Sequence, residues 1–183
     1  MTLARVHRLA AAALGLFLIL HLGNHLALLA GIEAHRSLQS LLRPFYRFAP
    51  VEAALLALFA LQIGLGLTLA RRRGLGRGMG RGWALAQVAS GLYLAFFLVQ
   101  HVPAVLLARA ATPPVDTDAR FAAAVLSGWQ GLYFAPYYVL ALTALATHLA
   151  AAAHFRGRTL HWLPWVGLGL GLLVVTGLTG AFG

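Results

Sequence analysis

The chain has no cysteine and no lysine, and only four acidic residues in 183. Without cysteine, disulfides, iron–sulfur clusters and thiolate metal sites are excluded within the chain. With only 10% of residues charged, a soluble surface of this size could not be covered. All fourteen basic residues are arginine, and they leave a net charge of +10. That excess invites a nucleic-acid reading. The arginines fall between apolar runs, however, where they act as topology signals, so no nucleic-acid partner is expected.

What the chain does have is apolar length. It is 61% hydrophobic, with a mean hydropathy of +0.81, which is the composition of a polytopic membrane protein. A helix needs about 20 apolar residues to cross the bilayer core. Five runs qualify, at roughly 8–30, 51–70, 84–108, 131–154 and 163–182. The first is too long for a cleaved leader and has no convincing small-residue cleavage site after it. The expected fold is therefore all-α, a single transmembrane domain over 1–183 with five spans in a lipid bilayer. Residues 33–43 are expected to form a short amphipathic helix on the outer surface, stopped by Pro44.

The connections differ in charge. "RRRGLGRGMGRG" (71–82) and "HFRGRTLH" (154–161) are basic and carry no acid, whereas all four acids lie in or beside 31–50 and 109–120. The positive-inside rule then puts Arg5, Arg8, Arg71, Arg72, Arg73, Arg77, Arg81, Arg156 and Arg158 in the cytoplasm. Arg36, Arg43, Arg47, Arg109 and Arg120 fall outside. The N-terminus is thus expected inside and the C-terminus outside, as an odd number of spans requires. Trp83, Trp129, Tyr133, Trp162 and Trp165 fall near span ends, as interfacial aromatics do.

The sequence also repeats. Shifted by 80, span one meets span three, with Leu14, Phe17, Leu18, His21 and Leu26 falling on Leu94, Phe97, Leu98, His101 and Leu106. Shifted by 86, span two meets span four, with Pro50 on Pro136 and Gln62 on His148. The chain reads as two related helix pairs plus a fifth helix. At a rise of about 1.5 Å per residue, His21 lies ~20 Å from Arg8 and His101 ~27 Å from Trp83, both in the outer half. His148 and Gln62 share an inner level.

Two histidines at matching depth on different helices can supply the two axial nitrogens of a haem iron. Neutral imidazole also suits a dry site, because no charge need be buried. Gly15, Gly64, Gly66 and Gly91 are small enough to let a macrocycle approach helix backbones. His25 shares a face with His21 and is an alternative ligand or a propionate contact. His7, His35, His154 and His161 are expected at wet interfaces. A hydrogen bond across helices, with no cofactor, is the competing reading of His21 and His101.

These residues resemble a family. "WALAQVASGLYLAFFLVQH" (83–101) is similar to the Q-R-x-[ST]-G…F-x-x-x-H segment of the transmembrane cytochrome b subunits of succinate dehydrogenases and fumarate reductases. "HRLAAAALGLFLILH" (7–21) resembles the H-R-x-[ST]-G opening of the first helix. "PVEAALLALFALQIGLGL" (50–67) and "YYVLALTALATHLAAAA" (137–153) resemble the second and fourth helices. The resemblance covers nearly the whole chain, and the five-helix count fits the single-chain, two-haem members. It implies a four-helix haem-binding bundle with an outer haem b on His21 and His101, and an inner haem on the histidines of spans two and four.

Here the span-two position is Gln62, which leaves His148 as the possible second iron ligand and points to one haem rather than two. Val88 stands where the family motif has Arg, and Ala10-Ala11 where it has Ser/Thr-Gly. Arg8, Gln87 and Ser90 remain as candidates for quinone or propionate contacts near the cytoplasmic face.

The resemblance further implies a membrane anchor and electron-transfer subunit in the inner (cytoplasmic) membrane of a bacterium or archaeon. Cytoplasmic flavoprotein and iron–sulfur subunits would dock on the basic loops, and quinone would exchange electrons. No catalytic residue is expected in this chain. Two alternatives stand beside that function. One is a stand-alone cytochrome b passing electrons between quinone and an outer-face acceptor. The other is a haem-free membrane scaffold.

Overall fold

The computed structural model describes residues 2–72 and 82–180. The expected cytoplasmic residues Arg73, Arg77 and Arg81 lie outside the described residues. The chain divides into two compact units, Met1–Met79 and Gly80–Gly183. Every element longer than a turn is helical among the described residues. Five helices are long and apolar enough to cross a membrane, and they coincide with the five runs read from the sequence to within a few residues at the ends.

The first unit holds α1 (Leu3–Leu26), α2 (Ile32–Tyr46) and α3 (Ala49–Arg72). Thr2 caps α1, its side-chain oxygen accepting from the Arg5 amide at 3.3 Å, which satisfies one of the donors a helix start leaves open. A short 3-10 turn, Ala27–Ala30, follows α1. Gly31 then swings the chain into α2 at φ 107°, a conformation that side-chain-bearing residues avoid. α1 packs on α3, with α2 against α1.

α2 is the amphipathic helix expected over 33–43, with one correction: Pro44 lies inside it and does not end it. Proline removes one hydrogen bond, to the carbonyl four residues back. That residue is Ser40, which is exposed, so water can serve its carbonyl. The helix therefore runs a further half turn. Leu41, Phe45 and Phe48 stand exposed along this segment, as residues facing a membrane interface do.

The second unit holds α4 (Trp83–Ala110), α5 (Ala119–Ala124), α6 (Gly131–His154) and α7 (Leu163–Gly180). Asp118 caps α5 through the amides of Arg120 and Phe121. α6 is central, with α4 on one side and α7 on the other. α7 can approach α6 closely because it presents Gly167 and Gly171 there: a Cβ at Gly171 would sit 2.8 Å from Val139 Cα. Membrane helices, which lack a hydrophobic drive to associate, gain contact through such small-residue spacing. Ala141, Ala144, Ala150 and Ala151 are buried on α6. The large apolar side chains point outward instead, with Leu16, Ile19, Val99, Leu107 and Leu132 all more than half exposed. In water that would be a liability; in lipid it is the expected surface.

α4 and α6 are also pinned by two hydroxyls. Tyr93 donates to the carbonyl of Tyr137 on α6, and Tyr137 donates to the carbonyl of Phe97 on α4, each at 3.0 Å. Tyr133 adds a third bond, donating to Gln100 at 2.9 Å.

Candidate functional site

His21 and His101 are each placed one helical turn beyond a phenylalanine. On α1, the Phe17 and His21 rings stack with centroids 5.4 Å apart and planes 16° from parallel. On α4, Phe97 and His101 stack at 4.9 Å and 17°. The i,i+4 spacing brings side chains together on one helix face, and offset stacking is a favoured aromatic arrangement. Phe17 falls on Phe97 and His21 on His101 in the repeat, so both units build the same two-ring device.

The supports behind it differ. Phe59 of α3 and Tyr46 of α2 meet Phe17 edge-on, at 5.9 and 6.1 Å. Tyr137 stacks on Phe97 at 4.7 Å, with Tyr138 edge-on at 6.4 Å.

His25 lies edge-on against His21, with centroids 4.8 Å apart, as the shared helix face implied. The ring of His35, from α2, comes within 6.3 Å of His25. The expectation that His35 sits at a wet interface is wrong. It is 1% exposed, and the Asn24 amide donates to its Nε2 at 3.1 Å. A buried polar ring needs such a partner.

His148 has the most fully defined ring. The Nδ1 of His148 lies 3.1 Å from the backbone carbonyl of Gln87 and 3.2 Å from Ser90 Oγ. A carbonyl only accepts, so Nδ1 carries the proton. Ser90 spends its own hydrogen on the Ala86 carbonyl at 2.6 Å, so its oxygen accepts from the same N–H. The lone pair is thereby assigned to Nε2. An Nδ1–H bonded to a carbonyl is the arrangement that orients an iron- or zinc-ligating imidazole. The ring rests on Gly91, where a Cβ would lie 3.1 Å from Cε1.

Gln87 and Ser90, read from sequence as quinone or propionate contacts, are thus seen orienting a histidine, Gln87 through its backbone. Arg8 is exposed on α1. Of the glycines expected to admit a macrocycle, Gly91 and Gly66 each face an imidazole, while Gly15 and Gly64 have open space around them.

His7 was missed as a site residue. It is half-buried on α1, and the Gln62 amide of α3 donates to its Nε2 at 3.3 Å. Its ring lies 3.5 Å from where a Cβ on Gly66 would stand. The repeat shifts that carry Gln62 to His148 also carry His7 to Gln87. The two units therefore join equivalent positions by different bonds, the first through the side chains of Gln62 and His7 and the second through the His148 ring and the Gln87 backbone. In the first, the histidine is on the leading helix and the glutamine on the following one; in the second, the order reverses. The signal was in the sequence, since the shift of 80 that aligns His21 with His101 also aligns His7 with Gln87.

His154 and His161 are exposed, as expected. The two rings flank Trp83, with centroids 5.5 and 5.3 Å away. Among the described residues no group of three or more His, Asp or Glu could hold a bare metal ion. A haem asks only for one imidazole on each face. Each unit holds an imidazole stacked on a phenylalanine, His21 in the first and His101 in the second, and His148 of the second unit has a defined tautomer.

No protein-family model matches the chain, and no curated protein or solved structure matches it.

Proposed function

We propose that this membrane protein is a haem b-containing anchor and electron-transfer subunit of a succinate dehydrogenase/fumarate reductase-like quinone oxidoreductase. One observation carries the reading: the phenylalanine–histidine stack recurs at equivalent positions of both repeats, at 16° and 17° between planes. In this reading His21 and His101 are the residues that would hold the haem iron, and His148, with its Nδ1 proton committed, is the candidate for a second. Haem b supplies reversible one-electron chemistry when bound.

The orientation proposed is N-terminus in the cytoplasm and C-terminus outside, in a bacterial or archaeal inner membrane. The flavoprotein and iron–sulfur partners then dock on the basic cytoplasmic loops. Quinone is taken near the same face, beside Arg8.

A specific observation favours a second reading. Gln62 is bonded to His7, so the inner level of the first unit offers no imidazole from α3. A relay entering from the cytoplasmic side would then lack an inner ligand, and a stand-alone cytochrome b working at the outer face becomes the natural function.

The experiment is a reduced-minus-oxidised haem b spectrum of the purified chain, with haem counted per polypeptide. Fewer than two haems per chain are expected. His21→Ala and His101→Ala should each abolish the low-spin signal, and His25→Ala should leave most of it. Full haem content in both of the first two variants would overturn the ligand pair, and a chain that binds no haem would leave a helical membrane scaffold. Co-purification of a flavoprotein separates the anchor from the stand-alone cytochrome.

A further inference from the structure

We infer that the amphipathic helix α2 carries a binding site for the phosphate of an anionic phospholipid, gripped between Arg43 and Arg47. The site lies within the first unit and needs no haem. A cleft of about 370 Å³ opens on α2, lined by Ser40, Arg43, Pro44 and Arg47. Among the described residues no carboxylate lines it. The Ser40 hydroxyl spends its hydrogen on the Ser37 carbonyl at 2.8 Å. The side-chain donors that line the cleft are therefore the two guanidiniums.

Arg43 and Arg47 are four residues apart, which puts them on one face of the helix. Like charges at that spacing repel, and an anion held between them turns the repulsion into attraction. A guanidinium meets phosphate oxygens with paired N–H bonds, so arginine suits this ligand better than lysine does. Both arginines also have contacts inside the protein, but each guanidinium carries five N–H donors and can serve a ligand as well. The acid of α2, Glu33, is engaged elsewhere, by Arg36 at 2.8 Å.

The surroundings favour a lipid over a soluble anion. By the 3.6-residue turn, Leu41 and Phe45 stand on the side of α2 away from the two arginines. Both are exposed, at 63% and 69%, and Phe48 just past the helix end is exposed as well. Apolar side chains of that size on an amphipathic helix enter the boundary between headgroups and acyl chains. α2 also joins the two membrane-crossing helices α1 and α3. Its arginines are thus held at the level of the headgroups, where their flexible stems can reach a phosphate and anionic lipids attract them.

The test uses the full chain, reconstituted in nanodiscs of equal phosphatidylcholine and phosphatidylglycerol and then extracted into detergent. Native mass spectrometry counts each lipid retained per chain, and a titration with phosphatidylglycerol gives its affinity. The wild type is expected to retain phosphatidylglycerol in preference to phosphatidylcholine. Arg43→Gln and Arg47→Gln should each weaken phosphatidylglycerol binding by roughly tenfold or more, the effect of losing a charge-assisted bond. Arg43→Gln/Arg47→Gln together should retain one fewer phosphatidylglycerol per chain. Arg36→Gln, which removes a charge from the same helix but not from the cleft, should bind as the wild type does.

Equal retention of the two lipids by the wild type overturns the inference and needs no variant to read. An unchanged phosphatidylglycerol count in the double variant also overturns it, as does a loss in Arg36→Gln as large as in Arg47→Gln, which would mean a diffuse charge effect. Inorganic phosphate that displaces the lipid from the wild type would make this a soluble-anion site and overturn the lipid assignment. Arg47→Lys guards against a folding defect: it keeps the charge and should bind more tightly than Arg47→Gln and more weakly than the wild type.

Discussion

A histidine in a membrane helix costs little if it is neutral and bonded, and this chain spends its imidazoles accordingly. Asn24 and His35 illustrate the cost of disturbing such a pair. Replacing His35 with Phe leaves the Asn24 amide buried without its partner, and should destabilise the protein by about 1–3 kcal/mol. The double variant Asn24→Leu/His35→Phe should recover most of that, because both polar ends are removed together. Unfolding in detergent micelles measures both, and trypsin cleavage after Arg36, which is followed by Ser37, reports whether α2 has come loose.

Ser90→Ala should be milder, because His148 Nδ1 keeps its bond to the Gln87 carbonyl. A loss below ~1 kcal/mol is expected. The ligand candidates on α1 and α4 were legible from residue type and repeat alone. His7 was legible only through the shift that aligns it with Gln87, and His35 was not legible, because depth along a chain says nothing about which way a connecting helix turns its ring. α2 folds back so that His35 meets α1, and only the three-dimensional path of the chain fixes that.

At the scale of elements, the five spans were readable because apolar length is a direct consequence of bilayer thickness. Their partners were partly readable: the repeat paired span one with span two and span three with span four, and α1 does pack on α3 and α4 on α6. The end of α2 was misjudged because proline was taken as a stop, whereas the carbonyl it deprives belongs to an exposed serine that water can reach. The docking of α7 on α6 was not read from the glycine-rich run at all, although the spacing of Gly167 and Gly171 is a known signature of close approach. Gly171→Leu should break that packing, since even a Cβ has no room beside Val139. The expected cost is ~1–3 kcal/mol or more, read as a lower midpoint of unfolding in micelles. Gly169→Leu, at a position with nothing within 4 Å, should be nearly silent.

For the whole molecule, the absence of cysteine is an experimental gift: any introduced thiol is the only one in the chain. Thr2→Cys should react with a membrane-impermeant maleimide only in inverted vesicles or permeabilised cells. Asp116→Cys should react in intact right-side-out vesicles. The opposite pattern would reverse the orientation and move the proposed partner subunits to the other face. The expected orientation rests on charge asymmetry alone, because arginine placement is a property of loops and survives any detail of packing.

The reciprocal tyrosine bonds between α4 and α6 carry one more consequence. Each phenol grips the backbone of the opposite helix, so alignment of the two is written into the helices and does not depend on the covalent link between them. A chain severed between Ala111 and Asp118 is expected to reassemble from fragments made separately, which makes that stretch a natural port for inserting a reporter.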